Sequence, residues 1–211
     1  MIVNRYEKSL KIKLICKVIP RSVIQRHSER RYMNLFKQRK QNNDLTLKLV
    51  EIETLNRCNG ECSFCPVNRH IDNREFKKMP ESLFYKIIDD LENMKYQGMV
   101  NLFSNNEPLL DKRIVNFSKY AKQHLPDAKI CMYTNGTLIN MDLCGKLVQH
   151  LDLLIIDNYN DKLELNDNIK EIVEYCKTNC QWDEVIQVHL RKQNEMLTTR
   201  GGSLQTIKKG K

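Results

Sequence analysis

Within one stretch, Leu49-Val-Glu-Ile-Glu-Thr54-Leu-Asn-Arg57-Cys58-Asn-Gly60-Glu-Cys62-Ser-Phe64-Cys65-Pro66, the chain passes from strand pattern to metal chemistry. Apolar and polar residues alternate from Leu45 to Thr54, which predicts a strand. Directly behind it, Cys58, Cys62 and Cys65 are spaced C-x3-C-x2-C, and Gly60 lets the backbone curl back between the first two. Thiolates are soft ligands that suit iron–sulfur clusters, zinc or Cu(I). A four-iron cluster normally takes four cysteines, so three would leave one iron open to another ligand. A structural zinc site would need a fourth donor, for which His70 is the nearest candidate.

The pattern that follows is a repeat of strand and helix. Pro80 opens a helix in which Leu83, Ile87, Leu91 and Met94 share a face, ended by Gly98. Met99 to Phe103 is a second strand, and Ile114, Phe117, Ala121 and Leu125 stripe a second helix, stopped by Pro126. Ala128 to Tyr133 is a third strand, closed by the turn dipeptide Asn135-Gly136. Leu143, Leu147 and Val148 mark a helix, Leu151 to Asp157 a strand, Ile169, Ile172, Val173 and Cys176 a helix, and Glu184 to Leu190 a fifth strand. This alternation predicts an α/β fold of about five parallel strand–helix units with right-handed crossovers, open rather than closed. A sixth unit is not evident in the sequence, which would leave the edge of the fifth strand bare.

At 211 residues and 25.0 kDa the chain has room for one domain of ordinary size plus an extension. A closed eight-unit barrel, usually about 250 residues, does not fit. Gly and Pro are few and hydrophobic residues make up 41%, which excludes collagen-like and low-complexity chains. The net charge of +9 is localised: residues 1–44 hold 12 of the 35 Lys/Arg and only 3 of the 26 Asp/Glu. Residues 45–211 are therefore neutral, and the basic character belongs to an N-terminal extension. Leu10, Leu14, Ile15 and Val18 predict a helical face there, either a lead-in packed on the domain or a docking surface for an acidic partner or anionic lipid. The neutral main domain argues against nucleic-acid binding. No apolar run is long enough to span a bilayer, and Lys11, Lys13 and Lys17 interrupt the only signal-like stretch, so a cytoplasmic location is expected. Eight cysteines in such a compartment are metal ligands or buried thiols before they are disulfides.

The cysteine motif, with the aromatic Phe64 just before its last cysteine, resembles the signature of the radical S-adenosylmethionine (radical SAM) enzymes. Ser104-Asn105-Asn106-Glu107-Pro108 resembles the family's Gly-Gly-Glu-Pro segment, and Tyr133-Thr134-Asn135-Gly136-Thr137 the segment after its third strand. Arg200-Gly201-Gly202 resembles a stretch in the branch that carries a C-terminal auxiliary-cluster (SPASM) domain, and the sequence given shows no such domain after it. The resemblance covers residues 45–203.

It implies an iron–sulfur oxidoreductase with a [4Fe–4S] cluster on Cys58, Cys62 and Cys65, whose open iron chelates S-adenosylmethionine. A one-electron donor such as flavodoxin or ferredoxin would supply the electron, and a 5′-deoxyadenosyl radical would take hydrogen from a peptide, protein or other substrate. Glu107 would accept from the methionine ammonium. Asn105 and Asn106 stand where the family has small glycines, and Asn tolerates left-handed backbone next best, so the turn is expected to survive. Phe64 would pack near the adenosyl group or shield the cluster, and Thr134 and Asn135 would contact the sulfonium ligand or only make the turn. Asp157 would reach the ribose hydroxyls and Arg191 the methionine carboxylate.

Outside the motif, Cys176-x3-Cys180 is predicted on one helix face, where two cysteines can share a metal, although free cysteine is also a common core residue. His189 is expected to be a hydrogen-bonded core or rim histidine. The competing reading is a metal-binding module without catalysis: a truncated relative that holds a cluster, or a zinc protein using the extension on nucleic acid.

Overall fold

A computed structural model describes residues 2–4, 30, 47–70 and 72–193. In chain order the elements are β1 (Ile2–Asn4), β2 (Leu49–Glu51), α1 (Glu81–Asn93), β3 (Met99–Asn101), α2 (Ile114–His124), β4 (Lys129–Thr134), α3 (Met141–Val148), β5 (Leu153–Tyr159), α4 (Asp167–Cys176), α5 (Cys180–Val185) and β6 (Ile186–Arg191). A 3-10 turn, Pro108–Leu110, lies between β3 and α2. The strands form one all-parallel sheet in the order β1-β6-β5-β4-β3-β2. From β2 to β6 the spatial order follows the chain, as expected for successive crossovers in an open barrel. Among the described residues no helix is long and apolar enough to cross a membrane.

The pleat divides the sheet into two faces with different jobs. Val100, Leu102, Ile130, Met132, Leu154, Ile156, Ile186 and Val188 are fully or almost fully buried and belong to the one core shared with the helices. The residues between them fall on the opposite face: Asn101 pairs with Cys131, Asp157 with His189, and Tyr159 with Arg191 in the strand register. Polar and aromatic side chains thus collect on the face turned away from the helices.

The stripe of α1 differs from the expected one. Phe84, Ile88 and Leu91 are buried, whereas Leu83 is 44% and Met94 65% exposed. Both sets have helical spacing, but the one containing Phe84 removes a ring from water and stacks it on Phe117 of α2 at 4.1 Å between centroids. Met94→Ser is therefore expected to change unfolding free energy in urea by less than about 0.5 kcal/mol, not the 2–5 kcal/mol of a core position. The stripe of α2 agrees: Ile114, Phe117 and Ala121 are buried in the helix, and Leu125 just beyond it.

Two other elements are shifted. Glu184 and Val185 finish α5 instead of opening the fifth strand, because the Asn179 side chain caps that helix by accepting from Trp182 N at 3.1 Å. The same cap separates the two cysteines expected on one face. Cys176 ends α4 and is buried, while Cys180 begins α5 and is exposed.

β1 is a strand that the sequence did not announce. Ile2, Val3 and Asn4 pair with Val188, His189 and Leu190, so a strand from the N-terminus occupies the edge of β6 expected to be bare. An unpaired parallel edge offers a row of N–H and C=O groups, and three residues suffice to cover its centre. The helical face drawn from Leu10, Leu14, Ile15 and Val18, and the Arg200-Gly201-Gly202 segment, lie outside the described residues.

Candidate active site

The cysteine loop begins just after β2 and is tied down from both sides. Leu55 forms an antiparallel bridge with Lys78, and Asn56 exchanges bonds with Lys77 through its backbone N–H at 3.1 Å and its side-chain oxygen at 2.8 Å. Arg57 reaches Asp72 at 3.4 Å and also donates to the carbonyl of Arg74. Inside the loop, Cys65 N donates to the Cys62 carbonyl at 3.0 Å, Arg69 N to the Gly60 carbonyl at 3.1 Å, and Asn68 Nδ2 to the Cys62 carbonyl at 3.1 Å. Gly60 is needed here for close approach. Its N–H donates to Cys58 Sγ at 3.3 Å, and a Cβ at this position would lie 3.3 Å from that sulfur and 3.8 Å from Cys62 Sγ. Burial pushes the Cys58 thiol up to about 11 and raises Cys62 as well. Metal uptake at these thiols must displace protons.

All eleven residues nominated from the sequence line one cavity of about 300 Å³. The three cysteines and Phe64 form one side, and the rest come from the carboxyl ends of β3, β4, β5 and β6 or the loops just after them. This is where open parallel sheets gather their ligands.

Glu107 is 1% exposed, and its carboxylate accepts from Thr134 Oγ1 at 2.7 Å, Asn135 N at 2.7 Å and Leu109 N at 3.1 Å. Its own N–H donates to the Arg57 carbonyl at 2.9 Å, which joins it to the cysteine loop. Burial pushes this carboxyl up to about 7, against the pull of the three donors, and Asp157 adds to the rise.

Asn105 and Asn106 do not make the left-handed turn expected of them, since among the described residues only Lys95, Leu163 and Gly136 have positive φ. Side chains shape the turn instead. Asn106 Oδ1 accepts from Ser104 N at 3.2 Å, and Glu53 accepts from Asn105 N at 3.0 Å. Asp157 and Arg191, expected from the sequence to reach different parts of one ligand, pair with each other at 3.1 Å. The Arg191 guanidinium also lies over Phe64 at 5.6 Å and Tyr159 at 5.8 Å. His189 is buried, as expected, but its Nδ1, 3.3 Å from Asp157 Oδ1, makes no hydrogen bond in the structure.

Four further residues line the cavity: Phe103, Ser104, Tyr133 and Tyr159. Phe103 and Tyr133 stack at 5.4 Å, and Tyr159 lies 6.2 Å from Phe64. The signal for Tyr159 was present, because it sits two residues beyond Asp157 on the same strand and so on the same face.

The sulfur spacing separates the two metal readings. A tetrahedral zinc site with Zn–S of about 2.3 Å brings its sulfurs to about 3.8 Å of one another. Among the described residues, the group of metal-ligating side chains whose donor atoms all lie within 4.8 Å is Asp89, Glu92 and His124, not the three cysteines. At least one Sγ–Sγ separation therefore exceeds 4.8 Å in this structure, wider than the spacing of zinc-bound sulfurs. His70, the fourth donor that zinc would need, lies beside Glu61 at 3.4 Å with its side chain 62% exposed. A larger cluster fits this donor set, and the bare Gly60 backbone lies flush against its sulfurs.

An open parallel α/β sheet with a three-cysteine loop behind its first core strand, and a buried carboxylate across the cavity, defines a class of cluster-binding protein. Residues 52–191 match the Radical SAM superfamily, and the chain belongs to that family. Its members work with a 4Fe–4S cluster and S-adenosylmethionine. The S-adenosyl-L-methionine-dependent 2-deoxy-scyllo-inosamine dehydrogenase of Niallia circulans is 27% identical over 96 residues, covering 46% of this chain and 38% of that protein. An uncharacterized protein of Methanocaldococcus jannaschii is 29% identical over 127 residues, covering 59% and 42%. The crystal structure of BtrN in complex with AdoMet and 2-DOIA has a TM-score of 0.62 at 22% identity, over 76% of this chain and 63% of that one. The chain spans about two fifths of the length of the curated relatives it matches.

Proposed function

We propose that this chain is a radical SAM oxidoreductase that holds a four-iron cluster on Cys58, Cys62 and Cys65 and binds S-adenosylmethionine in the adjoining cavity. The observation that carries the reading is the convergence of the cysteine loop and buried Glu107 on one cavity. When bound and reduced by an external one-electron carrier such as flavodoxin or ferredoxin, the two cofactors supply a 5′-deoxyadenosyl radical that removes hydrogen from an organic substrate. The chain's own residues bind, orient and exclude water. Glu107, fixed by three donors, presents a carboxylate that cannot swing away from the ammonium it accepts from. Phe64, Tyr159 and the Asp157–Arg191 pair form a wall of rings and paired charge beside the cysteines. Water is excluded there without leaving a buried charge alone.

The protonation of Glu107 gives a test. With its pKa raised to about 7, the carboxyl is neutral below that pH and cannot offer a charge to the ammonium. Affinity for S-adenosylmethionine should therefore fall as pH falls, by about tenfold one unit below the pKa, where roughly a tenth of the groups are ionised. Equilibrium dialysis of labelled S-adenosylmethionine against the reconstituted protein at pH 6 and pH 8 measures this. Equal affinity at the two pH values would remove Glu107 from the role.

A further inference from the structure

Asn135 touches both halves of the site. Its backbone N–H donates to Glu107 Oε2 at 2.7 Å, while its side-chain Nδ2 donates to Cys58 Sγ at 3.8 Å and to Asn59 Oδ1 at 2.8 Å. The amide cannot be turned the other way, because Asn135 Oδ1 accepts from the backbone N–H of Thr137 at 3.0 Å. Asn59 Nδ2 in turn donates to Thr137 Oγ1 at 2.8 Å, which closes a ring of side-chain bonds over the first cysteine. Cys58 Sγ thus receives two N–H donors, one from Gly60 and one from Asn135.

We infer that Asn135 is a positioning residue for electron entry: its amide donation to Cys58 Sγ raises the reduction potential of the cluster that the proposed function places on that sulfur. A donor aimed at a ligating sulfur stabilises the state with more negative charge, which is the reduced one. The same residue holds Glu107 through its backbone. One side chain and one N–H therefore set the ease of reduction and the seat of the ammonium together. The inference rests on the cluster reading, and its test separates the two.

Wild type, Asn135→Ala and Asn135→Asp are reconstituted anaerobically and assayed for iron and sulfide. Their clusters are then titrated potentiometrically with dithionite, with the reduced state followed by electron paramagnetic resonance. Both variants keep the backbone N–H to Glu107, and Asn135→Asp also keeps the acceptor for Thr137. With iron retained, both midpoints should lie at more negative potential than wild type, and Asn135→Asp further, because it replaces a donor with a carboxylate. Should the Ala variant fail to load, the Asp variant is the one read. Full iron with an unshifted midpoint overturns the inference and leaves the cluster reading standing. Loss of iron from both variants, with the wild type loaded, also overturns it, because Asn135 is then a structural residue only. A wild type that takes up no cluster overturns the proposed function itself.

Discussion

Cys62→Ala, reconstituted anaerobically, should hold little or no iron where the parent chain holds about four per chain. Cys62 is the middle ligand of the proposed three, and its removal leaves two thiols on the loop, too few to hold a four-iron cluster. His70, the closest candidate by sequence to replace it, is turned to Glu61. With the cluster lost no open iron remains for S-adenosylmethionine, so formation of 5′-deoxyadenosine should disappear along with the iron. Cys144→Ala is the contrasting variant. Cys144 is fully buried in α3 within the core, where it acts as a small apolar side chain. That variant should lose about 1 kcal/mol of stability and no iron. Equal iron in Cys62→Ala and the parent chain would contradict the assignment of the loop.

Gly136→Ala should be the most damaging single-methyl change near the site. Gly136 follows Asn135 with φ of +72°, in the left-handed region that costs other residues roughly 1–2 kcal/mol. The added Cβ would stand 2.8 Å from Ile156 Cγ2 and 2.8 Å from Ile169 Cδ1. Both isoleucines are fully buried, one in β5 and the other in α4, so neither can swing into open space. Overpacking of this kind adds roughly 1–3 kcal/mol. A total of about 2–5 kcal/mol corresponds to a fall in melting temperature on the order of 10 °C for a chain of this size. Differential scanning calorimetry measures it, and a change under 2 °C would mean that the turn adapts. Asn168 Nδ2 also bonds the Gly136 carbonyl at 2.9 Å, so a displaced turn would disturb the Thr134-Asn135 pair that holds Glu107.

How much of this was legible depended on how local the cause was. The cysteine loop and the Glu107 segment are contiguous, and each follows a strand, so their meeting in one cavity follows from parallel topology alone. The five core strands and the helices α1 to α4 between them were legible for a similar reason, since each of those helices carries its own apolar stripe. The face of α1 was not, because Leu83-Ile87-Leu91-Met94 and Phe84-Ile88-Leu91 are both helical stripes, and only Phe117 across the interface chooses between them. Tyr133 and Tyr159 were not singled out although strand alternation places Tyr159 on the face of Asp157, because a tyrosine in a strand carries no chemical signature that separates cavity lining from core. β1 was beyond reach of local pattern: three residues at the head of a basic segment pair with a strand more than 180 positions away. Asn105-Asn106 illustrates a different failure. Backbone tolerance suggested a left-handed turn, whereas the Asn106 side chain and Glu53 hold the segment by hydrogen bonds.

The most direct measurement is formation of 5′-deoxyadenosine from S-adenosylmethionine when the anaerobically reconstituted chain is reduced with dithionite. The parent chain should produce 5′-deoxyadenosine and Cys62→Ala should not. A parent chain that binds its four irons and yields no more 5′-deoxyadenosine than Cys62→Ala would contradict the radical chemistry proposed for this cavity.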